Sequence, residues 1–337
     1  MSNKEQYILP LGFCDLIFTE AEIKHRQINL AINNFLQQDY RLIKPPLLEL
    51  ADNYNQNDNK TLHNKNSNPF FLVDPLSGNN LVIRSDITKQ IKRIINSTLN
   101  NHQLPIKLCY VGDVLCSSNS NLHLERQQTQ IGIEIIHSKT EDDDFLIITQ
   151  LVNNLYQILE IEQNYNKLSK KIIPKMVISI SLPKFLENLL LALDINISKE
   201  VIDAVNCKNI SAITRLIDNI EKRKLLIKIM LNDLSINNII NDVINFTNSN
   251  DIIQALERAR KINDFITKKF NQLSIVFDLF GDSFCDYHHQ IFFEIFLADS
   301  KYPLARGGRY QISSGNKQQE SIDAVGATIY LNNINKG

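Results

Sequence analysis

Two periods alternate along this chain of 337 residues, and each predicts a different kind of element. Ile28, Ala31, Ile32, Phe35 and Leu36 recur at helical spacing, which puts one apolar stripe on a helix ending near Asp39. Thr19, followed three residues on by Glu22, fits a capping box at its start. Residues 40–43 change to strand character and run into Pro45-Pro46. Prolines cannot donate to a ladder, so this strand should end there or lie at an edge. Residues 51–68 are polar and Asn-rich and read as a loop. Residues 70–73 and 81–84, joined by Asp74-Pro75-Leu76-Ser77-Gly78, read as a hairpin. A helix over 88–96 and paired strands over 106–115 and 131–136 follow. Glu141, Asp142, Asp143 and Asp144 then introduce a helix over 145–159, since carboxylates at a helix start complement its dipole. A polar connector at 161–172 leads to a short strand at 176–181. Residues 182–273 keep a helical pattern rich in Leu, Ile and Lys, without a single Gly. Strand character returns at 274–280, 290–297 and 323–331, with Arg306-Gly307-Gly308-Arg309-Tyr310 as the loop between the last two. This order predicts an α+β fold: a mostly antiparallel sheet flanked by helices, with a helical insertion at 182–273.

Composition narrows the chemistry. Hydrophobic residues make up 43% and charged residues 22%, as expected of a globular chain. The net charge of −1 supplies no global basic field, so nucleic acid is not a partner that charge suggests. The five cysteines, Cys14, Cys109, Cys116, Cys207 and Cys285, are odd in number and form no C-x-x-C pair. That argues against a disulfide framework or a zinc site and for reduced thiols in a cytosol. His288 and His289 are neighbours on a strand and point to opposite faces, so they do not share a metal ion. No apolar run approaches the ~18 residues of a membrane span, and the first residues lack a signal peptide's apolar core. A cytoplasmic protein without metal or cofactor is expected.

The paired strands at 106–115 and 131–136 raise a sharper question. A polar loop between strands often handles a polar ligand, yet this one has no cation from Tyr110 to His123, and its first Arg is Arg126. Five stretches answer it together. Leu9-Pro10-Leu11-Gly12-Phe13-Cys14-Asp15 carries Pro-x-Gly-x-x-Asp; residues 40–49 carry Pro-Pro; Arg84-Ser85-Asp86-Ile87-Thr88-Lys89-Gln90 and Tyr110-Val111-Gly112-Asp113-Val114-Leu115 follow; Asp286-Tyr287-His288 and Ala305-Arg306-Gly307-Gly308-Arg309-Tyr310 come last. In this order they resemble the class II aminoacyl-tRNA synthetase catalytic domain, above all that of histidyl-tRNA synthetase and its relative, the regulatory subunit of ATP phosphoribosyltransferase.

The resemblance implies one synthetase-like domain over 1–337, interrupted by the helical insertion and without an anticodon-binding domain. It places Cys116 where such synthetases carry the arginine that holds the ATP α-phosphate, Ser118 at an acidic loop position, Ser283 at the histidine-specific arginine, and Asn333 at the arginine that stacks on ATP. Adenylate formation needs fixed positive charge, so the resemblance implies a non-catalytic chain. It implies a regulatory subunit that activates a separate catalytic ATP phosphoribosyltransferase chain in histidine biosynthesis and transmits histidine feedback, as a dimer within a hetero-octamer. The amino-acid side of the pocket survives: Asp86, Thr88, Gln130, Glu134, Tyr287 and His288 are the candidate contacts for free histidine. Competing readings are a degenerate histidyl-tRNA synthetase and a synthetase-like paralogue that binds RNA or another enzyme.

Overall fold

The computed structural model describes residues 9–52, 69–117, 125–165, 175–231, 235–281, 288–313 and 321–336. They fall into two compact units, one of 1–139, 146–173 and 312–337, the other of 140–145 and 174–311. Along the chain the elements are α1 (Thr19–Leu36), β1 (Arg41–Ile43), β2 (Leu48–Leu50), β3 (Phe70–Val73), β4 (Asn80–Ile83), α2 (Ile87–Asn96), β5 (Ile106–Leu115), β6 (Gln127–Ile136) and α3 (Asp142–Tyr165). Next come β7 (Met176–Ser181), α4 (Phe185–Ala192), α5 (Lys199–Asn206), α6 (Ile210–Leu216), α7 (Ile220–Met230), α8 (Ile236–Ile244) and α9 (Asn250–Lys269). The strands β8 (Leu273–Phe277), β9 (His288–Leu297), β10 (Pro303–Ile312) and β11 (Ile322–Tyr330) lead into a closing 3₁₀ turn, Leu331–Lys336.

The first unit is built on the β5–β6 hairpin, an antiparallel ladder running from Ile106 opposite Ile136 to Leu115 opposite Gln127. β11 joins β6 on its other side, with Gly326 opposite Glu134. β1 runs parallel to β5 and ends before Pro45-Pro46, as the prolines require. α1 lies against β1, β5 and β6, burying Ala31 and Phe35 completely. Its start differs from the sequence expectation. Phe18, at φ 47°, is the N-cap, and its carbonyl takes the first helical bond from the Glu22 amide at 2.9 Å. Thr19 is therefore already inside the first turn and caps nothing. The hairpin of β3 and β4 forms as expected, and β2, which the pattern did not signal, adds to the free side of β4. Alternation gives β5 and β6 two chemistries: Asp113 and Thr129 bond to each other at 2.5 Å on one face, while Tyr110 and Glu134 share the other.

The second unit pairs β10 with β9 and β9 with β7 in antiparallel ladders, and β7 with β8 in a parallel one. The residues 306–310, expected as a loop, are strand. Gly308 serves close approach rather than a turn: a Cβ on it would lie 2.4 Å from the Ile291 carbonyl and 2.9 Å from His288 Nδ1. Among the described residues the insertion forms six helices around their own core, with Leu189, Leu190, Leu226, Val243 and Leu256 buried. Short helices need good ends, and four of these start on a capping side chain. Ser198, Asn209, Asn219 and Ser235 each accept a first-turn amide, an interaction typically worth ~1 kcal/mol. α3 runs on to Tyr165, through the first part of the expected polar connector, with Asp142, Asp143 and Asp144 in its first turn.

Candidate functional site

One polar cluster is buried within the first unit. Its floor is the face of β5 and β6 that carries Tyr110, Gln130 and Glu134, and its side is the start of α2. Glu134, only 1% exposed, accepts from Thr88 Oγ1 at 3.3 Å and Tyr110 OH at 3.4 Å. Tyr110 OH also meets Thr328 Oγ1 of β11 at 2.8 Å. Gln130 turns its Oε1 to the Ile87 amide at 3.0 Å and so fixes the first turn of α2 against the sheet. Two glycines make room for this: a Cβ on Gly132 would sit 2.1 Å from the Tyr110 ring, and one on Gly326 would sit 1.6 Å from Glu134 Oε2.

Asp86 is the N-cap residue of α2, in extended conformation. Burial raises its carboxyl above the usual range, against the opposing pull of Lys89, the Thr88 amide, the Gln130 side chain and Lys92. The Tyr110 hydroxyl is pushed well up by burial and by the charges of Glu134 and Asp86. Two carboxylates, an amide and hydroxyls thus converge in one acceptor-rich place. Such a set suits an ammonium or a protonated imidazole, which donates charge-assisted hydrogen bonds.

The structure therefore brings together Asp86, Thr88, Gln130 and Glu134, and adds Tyr110 and Thr328, which the sequence reading missed. The signal for Tyr110 was available: it pairs with Gly132, midway between Gln130 and Glu134 on the same face. His288 belongs to the second unit, where it is buried against the Phe292 ring at 5.0 Å with Nδ1 3.1 Å from the Arg309 carbonyl. Tyr287, Ser118 and Ser283 lie outside the described residues.

Lys89 and Lys92 bear on Asp86, whereas the arginines of the described residues around it are engaged with other partners. Cys116 follows β5 directly; burial and the charge of Asp86 push its thiol up to about 11, so it is a neutral group at physiological pH. Arg84 bonds the carbonyls of Asp113 at 2.8 Å and Pro45 at 3.0 Å, tying the Pro-Pro segment to β5. Arg93 pairs with Glu49 at 2.7 Å. Arg126, opposite Cys116, lies over the rings of Phe70 and Phe13 at 4.5 and 5.4 Å and donates to the Cys116 carbonyl at 3.3 Å. Within the second unit, Arg306 pairs with Glu294 at 2.7 Å, and Arg309 with Asp144 at 2.7 Å. Both arginines of Arg306-Gly-Gly-Arg309 are thus held in ion pairs. Asn333 is buried in the closing turn. Among the described residues, no group of three or more His, Cys, Asp or Glu side chains is placed to hold a metal, and no helix is long and apolar enough to cross a membrane.

Known proteins share this architecture. A chain from Bacillus halodurans C, described as an ATP phosphoribosyltransferase regulatory subunit/histidyl-tRNA synthetase, superposes with a TM-score of 0.78 at 19% identity, covering 98% of this chain and 82% of that one. A chain of the ATP phosphoribosyl transferase (HisG:HisZ) complex from Thermotoga maritima gives 0.63 at 19% identity, covering 91% and 97%. Among curated sequences, the ATP phosphoribosyltransferase regulatory subunit of Caldanaerobacter subterraneus subsp. tengcongensis is 26% identical over 90% of this chain and 75% of its own. That of Paraburkholderia phymatum is 37% identical over 43% of this chain. Against several such relatives the chain spans only 36–37% of their length. The fold is that of the class II aminoacyl-tRNA synthetases. The histidyl-tRNA synthetase family model matches residues 12–334, nearly the whole fold described above, and the chain belongs to that family.

Proposed function

We propose that this chain is a non-catalytic regulatory subunit of ATP phosphoribosyltransferase, acting at the entry to histidine biosynthesis. It assembles with a separate catalytic chain, as a dimer within a hetero-oligomer, and couples the occupancy of its own pocket to that chain's activity. The names of its relatives support this reading. The single observation that carries the non-catalytic part is Cys116. Where adenylate chemistry needs a fixed guanidinium, the chain presents a buried, neutral thiol. The neighbouring arginines hold carbonyls, Glu49 or aromatic rings instead.

The cluster of Asp86, Thr88, Gln130 and Glu134 is read as the ligand pocket, with free histidine as candidate ligand and its ammonium on the carboxylates; Tyr287 and His288 are candidates by resemblance alone. Ligand binding would act as a coupling free energy on the partner's active site. The test is purified catalytic chain assayed with and without this protein. Co-elution and a rise in phosphoribosyl transfer are expected. An unchanged rate with no co-elution contradicts the proposal.

A further inference from the structure

In the second unit, β8 pairs with β7 on one side and, among the described residues, with no strand on the other. The Asp278 amide donates to the Ile180 carbonyl of β7 at 2.9 Å. Successive residues of a strand direct their N–H and C=O groups to opposite sides. Ser274 and Val276 therefore serve the ladder with β7, while Ile275 and Phe277 turn their backbone groups to the open side. Such an edge is a template for another strand, and native proteins blunt it with charge, proline, a bulge or shortness. The other edge strands do so. β1 opens on Arg41 and runs into Pro45-Pro46, β2 is three residues with Glu49 at its centre, and β3 lies between Pro69 and Pro75. β8, Leu273-Ser274-Ile275-Val276-Phe277, has no charge and no proline, and its register against β7 has no bulge. Ser274 is exposed, and so is Val276, by 40%.

We propose that β8 docks against β8 of a second copy of this chain, in antiparallel pairing centred on Ile275. The strand is self-complementary about that residue. Ile275 meets its counterpart in a pair that exchanges both backbone bonds, Leu273 stands opposite Phe277 of the second copy, and Ser274 opposite its Val276. Charge sets the direction: exposed Lys268 and Lys269 precede the strand and Asp278 follows it. Antiparallel docking brings the acidic end of one copy to the basic end of the other, whereas parallel docking sets like ends together. Five residues bury less than the ~800 Å² per partner of a standard interface, so the association is weak, with Kd on the order of 10–100 μM. This surface is independent of the pocket reading and adds one doubling to any assembly made through other surfaces.

The experiment is sedimentation velocity on the full chain, from about tenfold below to about tenfold above that Kd. One doubling of mass is expected. Val276→Lys places on an exposed position the edge charge that β8 lacks, and should raise the Kd at least about tenfold. Ile275→Pro removes an amide that β7 does not use and should do the same. The register has its own test. Ser274 and Val276 of the second copy form a non-hydrogen-bonded pair, with Cα atoms about 4.5 Å apart, within reach of a disulfide. Chains carrying Ser274→Cys and Val276→Cys, mixed under mild oxidation, should give a 274–276 link by peptide mass spectrometry, and neither variant alone should. A mass that never doubles, a doubling that Val276→Lys leaves intact, or a mixture without that link overturns the proposal. A link from either cysteine to a co-purifying protein of another sequence would assign the edge to a different occupant and overturns it too.

Discussion

Asp144→Ala tests the assignment of Arg309 most severely. Asp144 is 1% exposed and sits at the start of α3 between two guanidinium groups. Its Oδ1 takes Arg309 Nε at 2.7 Å, and its Oδ2 takes Arg258 Nε at 3.0 Å and Arg258 Nη2 besides. Arg309 is itself only 4% exposed and also donates to the Thr140 carbonyl. Burial raises the Asp144 carboxyl, and the two arginines only partly offset that. Removing the carboxylate strips two arginines of charge-assisted bonds and leaves Arg309 buried without its counter-charge. Breaking a buried pair in this way costs about 3–5 kcal/mol. With a urea slope near 3 kcal/mol per M, the unfolding midpoint should fall by about 1–1.7 M. Glu257→Ala is the control. Its pair with Arg260, at 2.5 Å, is 36–40% exposed and screened, so its midpoint should not move measurably. A shift for Asp144→Ala below about 0.3 M, roughly 1 kcal/mol, would refute the reasoning. Arg309 would then be no structural clamp, and the Gly-Gly-Arg segment would regain its claim to a ligand.

Three further outcomes follow from the first unit. The folded chain holds the Asp86 proton more tightly than the unfolded chain, so this group makes stability fall as pH rises from the ordinary carboxylate value near 3.8 through its higher folded value. Asp86→Asn should lose that part of the slope and melt higher than the parent at neutral pH; a lower melting point contradicts it. Gly112→Ala would set a Cβ 2.1 Å from an Arg84 nitrogen that the Asp113 and Pro45 carbonyls keep from withdrawing. A loss of about 1–3 kcal/mol in denaturant titrations is expected, and unchanged stability would show that Arg84 is free to move. Because only thiolate reacts and the Cys116 thiol is pushed up to about 11, iodoacetamide at neutral pH should label exposed Cys14 first, with Cys116 at least about tenfold slower by peptide mass spectrometry. Equal rates would mean an activated Cys116.

How much of this was legible in the sequence depended on distance along the chain. The strands at 106–115 and 176–181 stand where the pattern put them, because long runs of apolar and β-branched residues carry their own period. β2 escaped notice because three residues after a Pro-Pro pair carry too little pattern. The Gly-Gly of 306–310 suggested a turn, whereas Gly308 relieves crowding against Ile291 and His288 from the neighbouring strand, which no local pattern reveals. In the site, alternation put Gln130 and Glu134 on one face, and both are buried there. Their meeting with Thr88 depends on a loop closure of more than forty residues, and came only from the resemblance. The fate of Arg84, Arg126 and Arg309 was wholly tertiary: each has a partner that only the fold supplies.

The central claim is that Cys116 stands where an adenylating centre requires a fixed guanidinium. Histidine-dependent exchange of pyrophosphate into ATP measures that directly. The account predicts exchange at the level of buffer, with Cys116→Arg alone not restoring it because the positions at Ser283 and Asn333 also lack arginine. Robust exchange by the unmodified chain would contradict it.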